Sequence, residues 1–296
     1  MNNKTYIGRF APSPTGPLHY GTMVAAIASF LQARAHDGKW LLRIEDVDTG
    51  RCIKGVDTQM LNTLEAFAMH WDGEVVYQSQ RTLIYEQALY NLEHKNLIYP
   101  CTCSRRQLID ETGLASPVYP GTCKGMTHWP SKDYAVRLKV PDEIIQFDDA
   151  VYARQQQQLA DEVGDFIIKR RDGLFAYQLA VVVDDAAQGI SEVVRGADLL
   201  DSTARQMYLQ RCLGYAQPDY LHLPLVLDEA GNKLGKSTGA AAIDNKDPRT
   251  TIISILNFLG QELPETIEQA SLDELWQHAI ALWNPGRIPM TNKQKP

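Results

Sequence analysis

The chain has no apolar run long enough to span a bilayer, and its first residues, Met1-Asn-Asn-Lys-Thr-Tyr-Ile7, carry no hydrophobic stretch of a signal peptide. These absences make a cytoplasmic location, with no membrane partner, the expectation. It also lacks an excess of positive charge: 29 Lys and Arg face 36 Asp and Glu, a net charge of −7. The surface as a whole therefore does not advertise nucleic-acid binding, although a local basic patch can still hold a phosphate backbone. Cysteine is scarce and odd in number. Of five, Cys101, Cys103 and Cys123 cluster, which without a signal peptide argues for a metal site over a disulfide framework. There is no internal repeat. The remaining composition is that of an ordinary globular protein, and 296 residues suffice for one large domain or two modest ones.

Tyr6 to Phe10 reads as a strand, broken by Pro12, Pro14, Gly16 and Pro17, and His19 to His36 as a helix whose small residues permit close packing. Trp40 to Ile44 reads as a second, buried strand, which makes a βαβ opening and predicts a parallel α/β sheet. Helices are expected over Val56 to Met69 and Thr82 to Lys95, and strands over Tyr134 to Val140 and Gly164 to Lys169. Pro100 to Pro130 reads as turn-rich. Asp172-Gly173 is a hairpin signal, and Gln155 to Gln158 reads as a solvated loop or helix face. Further strands are expected over Leu179 to Val183, Glu192 to Arg195 and Leu223 to Leu227. Ser202-Thr203 reads as the N-cap of a helix to Leu213, and Pro248 to Leu259 and Ser271 to Leu282 read as helices before a frayed tail from Pro285. The βαβ pattern lapses and resumes. The expected division is therefore 1–81 and 177–240 as halves of one α/β domain, 82–176 as an inserted α+β subdomain, and 241–296 as a short helical segment.

Two segments carry the chemistry. Arg9-Phe-Ala-Pro-Ser-Pro-Thr-Gly-Pro-Leu-His-Tyr-Gly-Thr22 lies on the strand-to-helix turn, where free backbone N–H groups and a helix dipole suit phosphate oxygens. His19 and Gly21 open that helix, and His19 can donate to a phosphate as charge develops. Far along the chain, Gly231-Asn-Lys-Leu-Gly-Lys-Ser237 sets Lys233 and Lys236 in a glycine-containing loop that can close on a leaving pyrophosphate. In the cysteine cluster, three soft ligands at short spacing favour tetrahedral zinc, with His128 as the fourth donor that chemistry alone proposes.

The two segments, in this order, resemble the HIGH and KMSKS signatures of class I aminoacyl-tRNA synthetases. With Arg43-Ile-Glu-Asp-x-Asp48 and Val183-Asp-Asp through Val194-Arg-Gly196, the resemblance over roughly residues 5 to 240 is to the glutamyl-tRNA synthetase catalytic domain. It implies a Rossmann-like sheet and ATP with Mg2+ and L-glutamate as substrates. His19 and Lys236 become the catalytic pair, and His19, Gly21, Lys233 and Lys236 the ATP contacts. It places Arg9, Ser13 and Arg195 around the glutamate side-chain carboxylate, Glu45 opposite the ammonium, and Tyr177 as a hydroxyl donor. The backbone of Phe10, Ala11 and Pro12 runs alongside. These residue types fit a ligand with two carboxylates and one amine, while Asp46 and Asp48 read as structural turn and cap residues. Thr22 and Gly235 depart from the signatures.

The same resemblance puts Tyr119, of Tyr119-Pro-Gly-Thr-Cys123, in the fourth position on one structural zinc ion per chain, beside Cys101, Cys103 and Cys123. From Ser237 the chain runs only to Pro296, too short for the anticodon-binding domain of a full glutamyl-tRNA synthetase. That resembles the truncated glutamyl-queuosine tRNA(Asp) synthetases. It implies queuosine-containing tRNA(Asp) as acceptor, a monomer, and phosphate contacts from among Arg105, Arg106, Lys124, Lys132, Arg170 and Arg171.

Overall fold

The computed structural model describes residues 5–113, 118–228, 231–234, 241–264, 267, 269–291 and 293–294. The first strand, β1 (Ile7–Phe10), leads through the proline-rich turn to α1 (Tyr20–Ala35), and β2 (Lys39–Ile44) returns parallel to β1 with Phe10 opposite Leu42. The βαβ opening is as expected. After α2 (Val56–Ala66), β3 (Val76–Tyr77) adds parallel to β2. The chain continues through α3 (Thr82–His94), β4 (Ile98–Cys101), α4 (Arg105–Thr112), β5 (Ala135–Leu138), β6 (Ile144–Asp149), β7 (Ala153–Gln158), α5 (Leu159–Glu162) and β8 (Phe166–Lys169). It re-enters the parallel fold through α6 (Tyr177–Ala187), β9 (Glu192–Gly196), α7 (Thr203–Leu213) and β10 (Asp219–Leu223). It then reaches β11 (Val226–Leu227), α8 (Pro248–Phe258), α9 (Leu272–Leu282) and β12 (Lys293–Gln294).

Strands pair in the orders β1-β2-β3, β7-β6-β10-β9, β4-β5-β8 and β11-β12. The first two sheets abut where the Ser191 N–H donates to the Ile7 carbonyl at 2.9 Å and the Ile7 N–H to Ser191 Oγ at 2.8 Å. β1, β9 and β10 thus lie side by side at the centre, and their C-terminal ends open on one cleft, where α/β sheets bind ligands. The β4-β5-β8 sheet is antiparallel and lies within residues 98–169. Its core is continuous with α3, α6 and α7 through Leu92, Leu138, Ile168, Leu179 and Leu209, all without exposure. No helix among the described residues is long and apolar enough to cross a membrane.

Several expectations need correction. Leu179 to Val183 is not a strand but the body of α6. All five residues are almost wholly buried, and an apolar run covered on every side has no polar stripe to betray the helical period. Gln155 to Gln158 is not a loop or helix face but strand β7, paired antiparallel with β6 from Asp149↔Ala153 to Ile144↔Gln158. Only β6 alternates, burying Ile145, Phe147 and Asp149, so β7 draws its structure from the partner's ladder. Leu223 to Leu227 splits at Pro224 and Leu225 into the end of β10 and the start of β11. The expected turn-rich stretch holds α4, whose Ser104 and Gln107 form a reciprocal capping box.

The described part of the tail, 285–291 and 293–294, is packed rather than frayed. Ile288 is buried, Asn284 and Gln261 exchange hydrogen bonds of 2.9 and 3.2 Å, and β12 pairs parallel with β11. Gly260, at φ +70°, lets this tail close in: a Cβ there would stand 2.6 Å from the Arg287 carbonyl oxygen.

Candidate active site

The cleft at the C-terminal ends of the central strands holds about 790 Å³. Arg9, Phe10, Ala11, Pro12, Ser13, His19, Gly21, Glu45, Tyr177, Arg195 and Lys233 all line it, so the structure gathers the sequence-predicted pocket into one space. Gly235, Lys236 and Ser237 lie outside the described residues.

β1 ends at Phe10, and the turn after it is tied to β2 by the Glu45 N–H donating to the Pro12 carbonyl at 2.9 Å. His19 is the N-cap residue of α1, and its own carbonyl accepts the Thr22 and Met23 N–H groups. The second lysine segment folds back beside the first. The Leu234 N–H donates to the Val226 carbonyl at 2.7 Å, His19 bridges to Ala242, and the Ile243 N–H reaches the Leu18 carbonyl at 2.9 Å. At Gly21 a Cβ would touch the His19 ring at 3.4 Å and the Leu234 carbonyl at 3.5 Å, so the two segments leave room for little beyond a methyl group there. Lys233 pairs with Asp198 at 2.5 Å.

Beneath the cleft lies a buried charge network. Asp185, on α6, accepts from Arg9 Nε at 3.1 Å and from Arg43 Nη1 at 2.7 Å. Arg43 also donates to Gln188 Oε1 at 2.7 Å and to Glu45 Oε1 at 3.2 Å. Burial pushes the Asp185 carboxyl up, but the Arg9 and Arg43 guanidiniums more than offset it and hold it below the usual carboxylate range. At Glu45 burial wins over Arg43 and Arg9, and its carboxyl lies above its ordinary value. Burial, then the Glu45 charge, raises the Tyr177 hydroxyl.

Arg195 is held by neutral groups. Its Nε donates to His222 Nε2 at 3.0 Å, Nη1 to Gln206 Oε1 at 2.7 Å, and Nη2 to Thr203 Oγ1 at 2.9 Å and the Leu199 carbonyl at 3.3 Å. Among the described residues no carboxylate lies within 4 Å of it, so its charge is not spent on a protein anion. Counting donors, a guanidinium has five N–H groups. The bonds described leave one on Arg195 and two on Arg9 for an anion in the cleft.

The cysteine cluster is a separate place. The sulfurs of Cys101, Cys103 and Cys123 lie within 4.8 Å of one another. Tyr119 Oη sits 3.4 Å from Cys101 Sγ and 3.7 Å from Cys103 Sγ, and accepts the Cys123 N–H at 2.8 Å. Ligands of a tetrahedral zinc with ~2.3 Å bonds stand ~3.8 Å apart, so this donor set fits the ion. His128 is exposed and stands outside the group. Gly164 seats Tyr119: at φ +69°, a Cβ there would meet Tyr119 backbone atoms at 2.8 and 2.9 Å. Arg137 Nε donates to Cys101 Sγ at 3.2 Å and its guanidinium covers the Tyr119 ring at 3.6 Å. Burial works against the Cys123 thiolate, but hydrogen bonds led by Tyr119 bring that thiol down to about 7.

Among the basic residues expected to meet phosphate, Arg170 pairs with Asp48 at 2.6 Å, Lys124 with Asp165 at 3.4 Å and Arg106 with Asp110 at 3.8 Å. Arg171 donates to the Thr102 carbonyl. Arg105 and Lys132 are exposed. Asp46 accepts from Ser79 N and Oγ, so both it and Asp48 brace loops.

The pattern for tRNA synthetases class I (E and Q), catalytic domain, matches residues 7–295. A glutamyl-Q tRNA(Asp) synthetase of Pseudomonas putida KT2440 is 49% identical over 288 residues, 97% of this chain and 94% of that protein. The chain belongs to the glutamyl-Q tRNA(Asp) synthetase family. A second member, from Ectopseudomonas mendocina ymp, is 50% identical over 97% of this chain and 96% of its own length. The glutamate–tRNA synthetase of Elizabethkingia anophelis, 24% identical, superposes with a TM-score of 0.84 over 98% of this chain and 68% of that one, a likeness of fold.

In this glutamyl-Q tRNA(Asp) synthetase family chain, sequence reasoning singled out the cleft-lining residues but not their supports. Arg43, Asp185, Gln206, His222 and Asp149 all stand behind the pocket. Asp184-Asp185 was visible as a charged pair at the end of an apolar run, and Arg43 as a cation in a core strand, the one signal available for either.

Proposed function

We propose that this chain activates L-glutamate with ATP and Mg2+, without requiring tRNA, to give glutamyl-adenylate and pyrophosphate. It then transfers the glutamate to the cyclopentenediol of queuosine at the wobble position of tRNA(Asp). The observation that carries the reading is the convergence of Arg9, Glu45, Tyr177, Arg195, His19 and Lys233 on one cleft. The uncommitted N–H groups of Arg9 and Arg195 suit the glutamate side-chain carboxylate, Glu45 the ammonium, and Tyr177 adds a hydroxyl. The α-carboxylate then attacks the α-phosphorus of ATP. His19, the N-terminal amides of α1, Lys233 and Lys236 stabilise the phosphate charge, so catalysis is by positioning and electrostatics. Membership of the glutamyl-Q family supports the choice of acceptor. Cys101, Cys103, Cys123 and Tyr119 would hold one structural zinc ion, pinning α4 and the loop after it.

The test is charging with radiolabelled glutamate of tRNA(Asp) with and without queuosine, beside tRNA(Glu). Label on queuosine-containing tRNA(Asp) alone is expected, and label on tRNA(Glu) alone would overturn the acceptor. Absence of glutamate-dependent ATP–pyrophosphate exchange would overturn the enzyme reading altogether.

A further inference from the structure

Arg195 is oriented by a chain of buried groups that begins two strands away, on β6. β9 and β10 run parallel with Arg195 directly opposite His222, so both side chains leave the same face. His222 has no exposure. Its Nδ1 lies 2.6 Å from Asp149 Oδ2, while its Nε2 faces Arg195 Nε at 3.0 Å. A guanidinium N–H only donates, so Nε2 must carry the lone pair, and the ring proton must sit on Nδ1, donated to Asp149. Asp149 is itself fixed. It accepts the backbone N–H groups of Val151, Tyr152 and His222 at 3.0, 2.9 and 3.1 Å. This arrangement serves no catalytic proton: neither His222 nor Asp149 lines the cleft.

We propose that Asp149 and His222 are positioning residues for substrate, a relay that holds one imidazole tautomer so that Arg195 presents its remaining N–H to the anionic end of the amino acid. The inference rests on the proposed function, since it assigns Arg195 to the glutamate carboxylate. It also carries a switch. A proton on Nε2 would turn the acceptor into a donor facing Arg195, and two cations would then share a dry site. The bond would break and Arg195 would swing from its register. The groups facing the imidazole are Asp149 from β6, Arg195 from β9, Thr203 at the start of α7, Asp198 in the turn after β9 and Tyr220 on its own strand. Burial keeps the imidazole pKa below its ordinary value despite Asp149, so the neutral relay prevails at neutral pH and fails on acidification.

The experiment is glutamate-dependent ATP–pyrophosphate exchange across pH on the full chain, its H222L and H222Q forms, and nitrogen-15 histidine NMR of the unchanged chain. H222L removes the acceptor, and KM for glutamate should rise about tenfold or more, the worth of a hydrogen bond to a charged group, with KM for ATP and kcat little changed. H222Q can offer its amide oxygen where Nε2 stood. It should restore much of the affinity and flatten the acid-side rise in KM for glutamate expected of the unchanged chain, which falls below the ordinary histidine range because burial lowers the imidazole pKa. Equal KM values in all three forms, or KM and kcat falling together in H222L with no rescue by H222Q, would overturn the relay. NMR decides independently of turnover: an Nδ1–H tautomer for His222 is expected, and an Nε2–H tautomer would sink the proposal even if the chain is active. No exchange in the unchanged chain would remove the glutamate reading, and the tautomer alone would then settle the relay.

Discussion

Arg43 and Asp185 are joined by a 2.7 Å hydrogen bond in a site where the arginine has no exposure at all. The same carboxylate also takes Arg9, whose Nε shares Oδ1 at 3.1 Å and whose Nη2 reaches Oδ2 at 3.4 Å. One α6 residue thereby fixes two arginines of two adjacent strands, and one of them, Arg9, lines the cleft. Both ions are desolvated, so the pair's value lies in being complete: removing Asp185 leaves the buried charges of Arg9 and Arg43 uncompensated there.

Asp185→Asn is therefore expected to destabilise the fold by roughly 3–5 kcal/mol and to raise KM for glutamate through Arg9. Urea unfolding at pH 7 beside exchange kinetics measures both, and an unchanged midpoint would refute the network's structural weight. The pH sign follows from the direction of the shift. The Asp185 carboxyl is depressed, so its contribution is full above the unfolded value near ~3.9 and is lost as pH falls through the lower folded value. The difference between the native and Asn forms should shrink only in strong acid.

Glu45 has the opposite sign. Its carboxyl is raised by burial, so keeping it ionised costs stability at neutral pH. That cost disappears as pH falls through the folded value to below the unfolded one. Glu45→Gln should raise the melting temperature of the ligand-free protein at pH 7 while abolishing glutamate-dependent exchange, a trade of stability against function. A lower melting temperature, or retained exchange, would contradict the assignment.

These two predictions also show where the sequence was readable. β1, α1 and β2 could be read because Ile7 to Phe10 and Trp40 to Ile44 flank a helix set off by the break at Pro12, Pro14, Gly16 and Pro17. Arg9, Glu45 and Arg195 stood out because they lie in motifs at strand ends. Asp185 was visible within Val183-Asp-Asp, but its role was not, because its partners come from β1 and β2, more than a hundred positions away in the chain. His222 and Asp149 were invisible for the same reason: only the β6-β10-β9 pairing makes them neighbours. The α6 and β7 errors are of one kind, since burial on all sides and pairing to a patterned partner are tertiary facts that override local signals.

At the cysteine cluster, full-chain protein is expected to carry about one zinc per chain by elemental analysis. Cys101→Ser, Cys103→Ser and Cys123→Ser should lose the ion and melt earlier, as should chelator treatment. Tyr119→Phe discriminates the fourth position. Lost zinc affinity would support the Tyr119 oxygen, which stands 3.4 Å from Cys101 Sγ, and undiminished zinc would exclude it.

Gly21 tests the contact between the two halves of the proposed ATP site. A Cβ at this position would only touch the His19 ring and the Leu234 carbonyl at 3.4 and 3.5 Å, so Gly21→Ala should fold normally and lose little. The branched side chain of Gly21→Val must push the Lys233 segment away. Exchange kcat should then fall by about tenfold or more, since a misplacement of ~1 Å costs up to ~100-fold, with the unfolding midpoint held within about 1 kcal/mol. Equal activity in the two variants would separate Gly21 from the ATP site.

The C-terminal segment is anchored by two indoles, and these should affect stability without touching chemistry. Trp283 Nε1 donates to Gln32 Oε1 at 2.6 Å and Trp276 Nε1 to the Phe67 carbonyl at 2.8 Å, tying the end of the chain to α1 and to the residue after α2. Trp283→Phe keeps most of the apolar contact but leaves the Gln32 oxygen without its donor in a buried site, at a cost of about 1–3 kcal/mol. Gln32 also donates to Glu192 at 2.8 Å, at the opposite end of β9 from the Arg195 side of the cleft. The loss should therefore appear in the unfolding midpoint and leave KM for glutamate and ATP unchanged. A shifted KM for glutamate would mean that the tail is mechanically coupled to the cleft through α1.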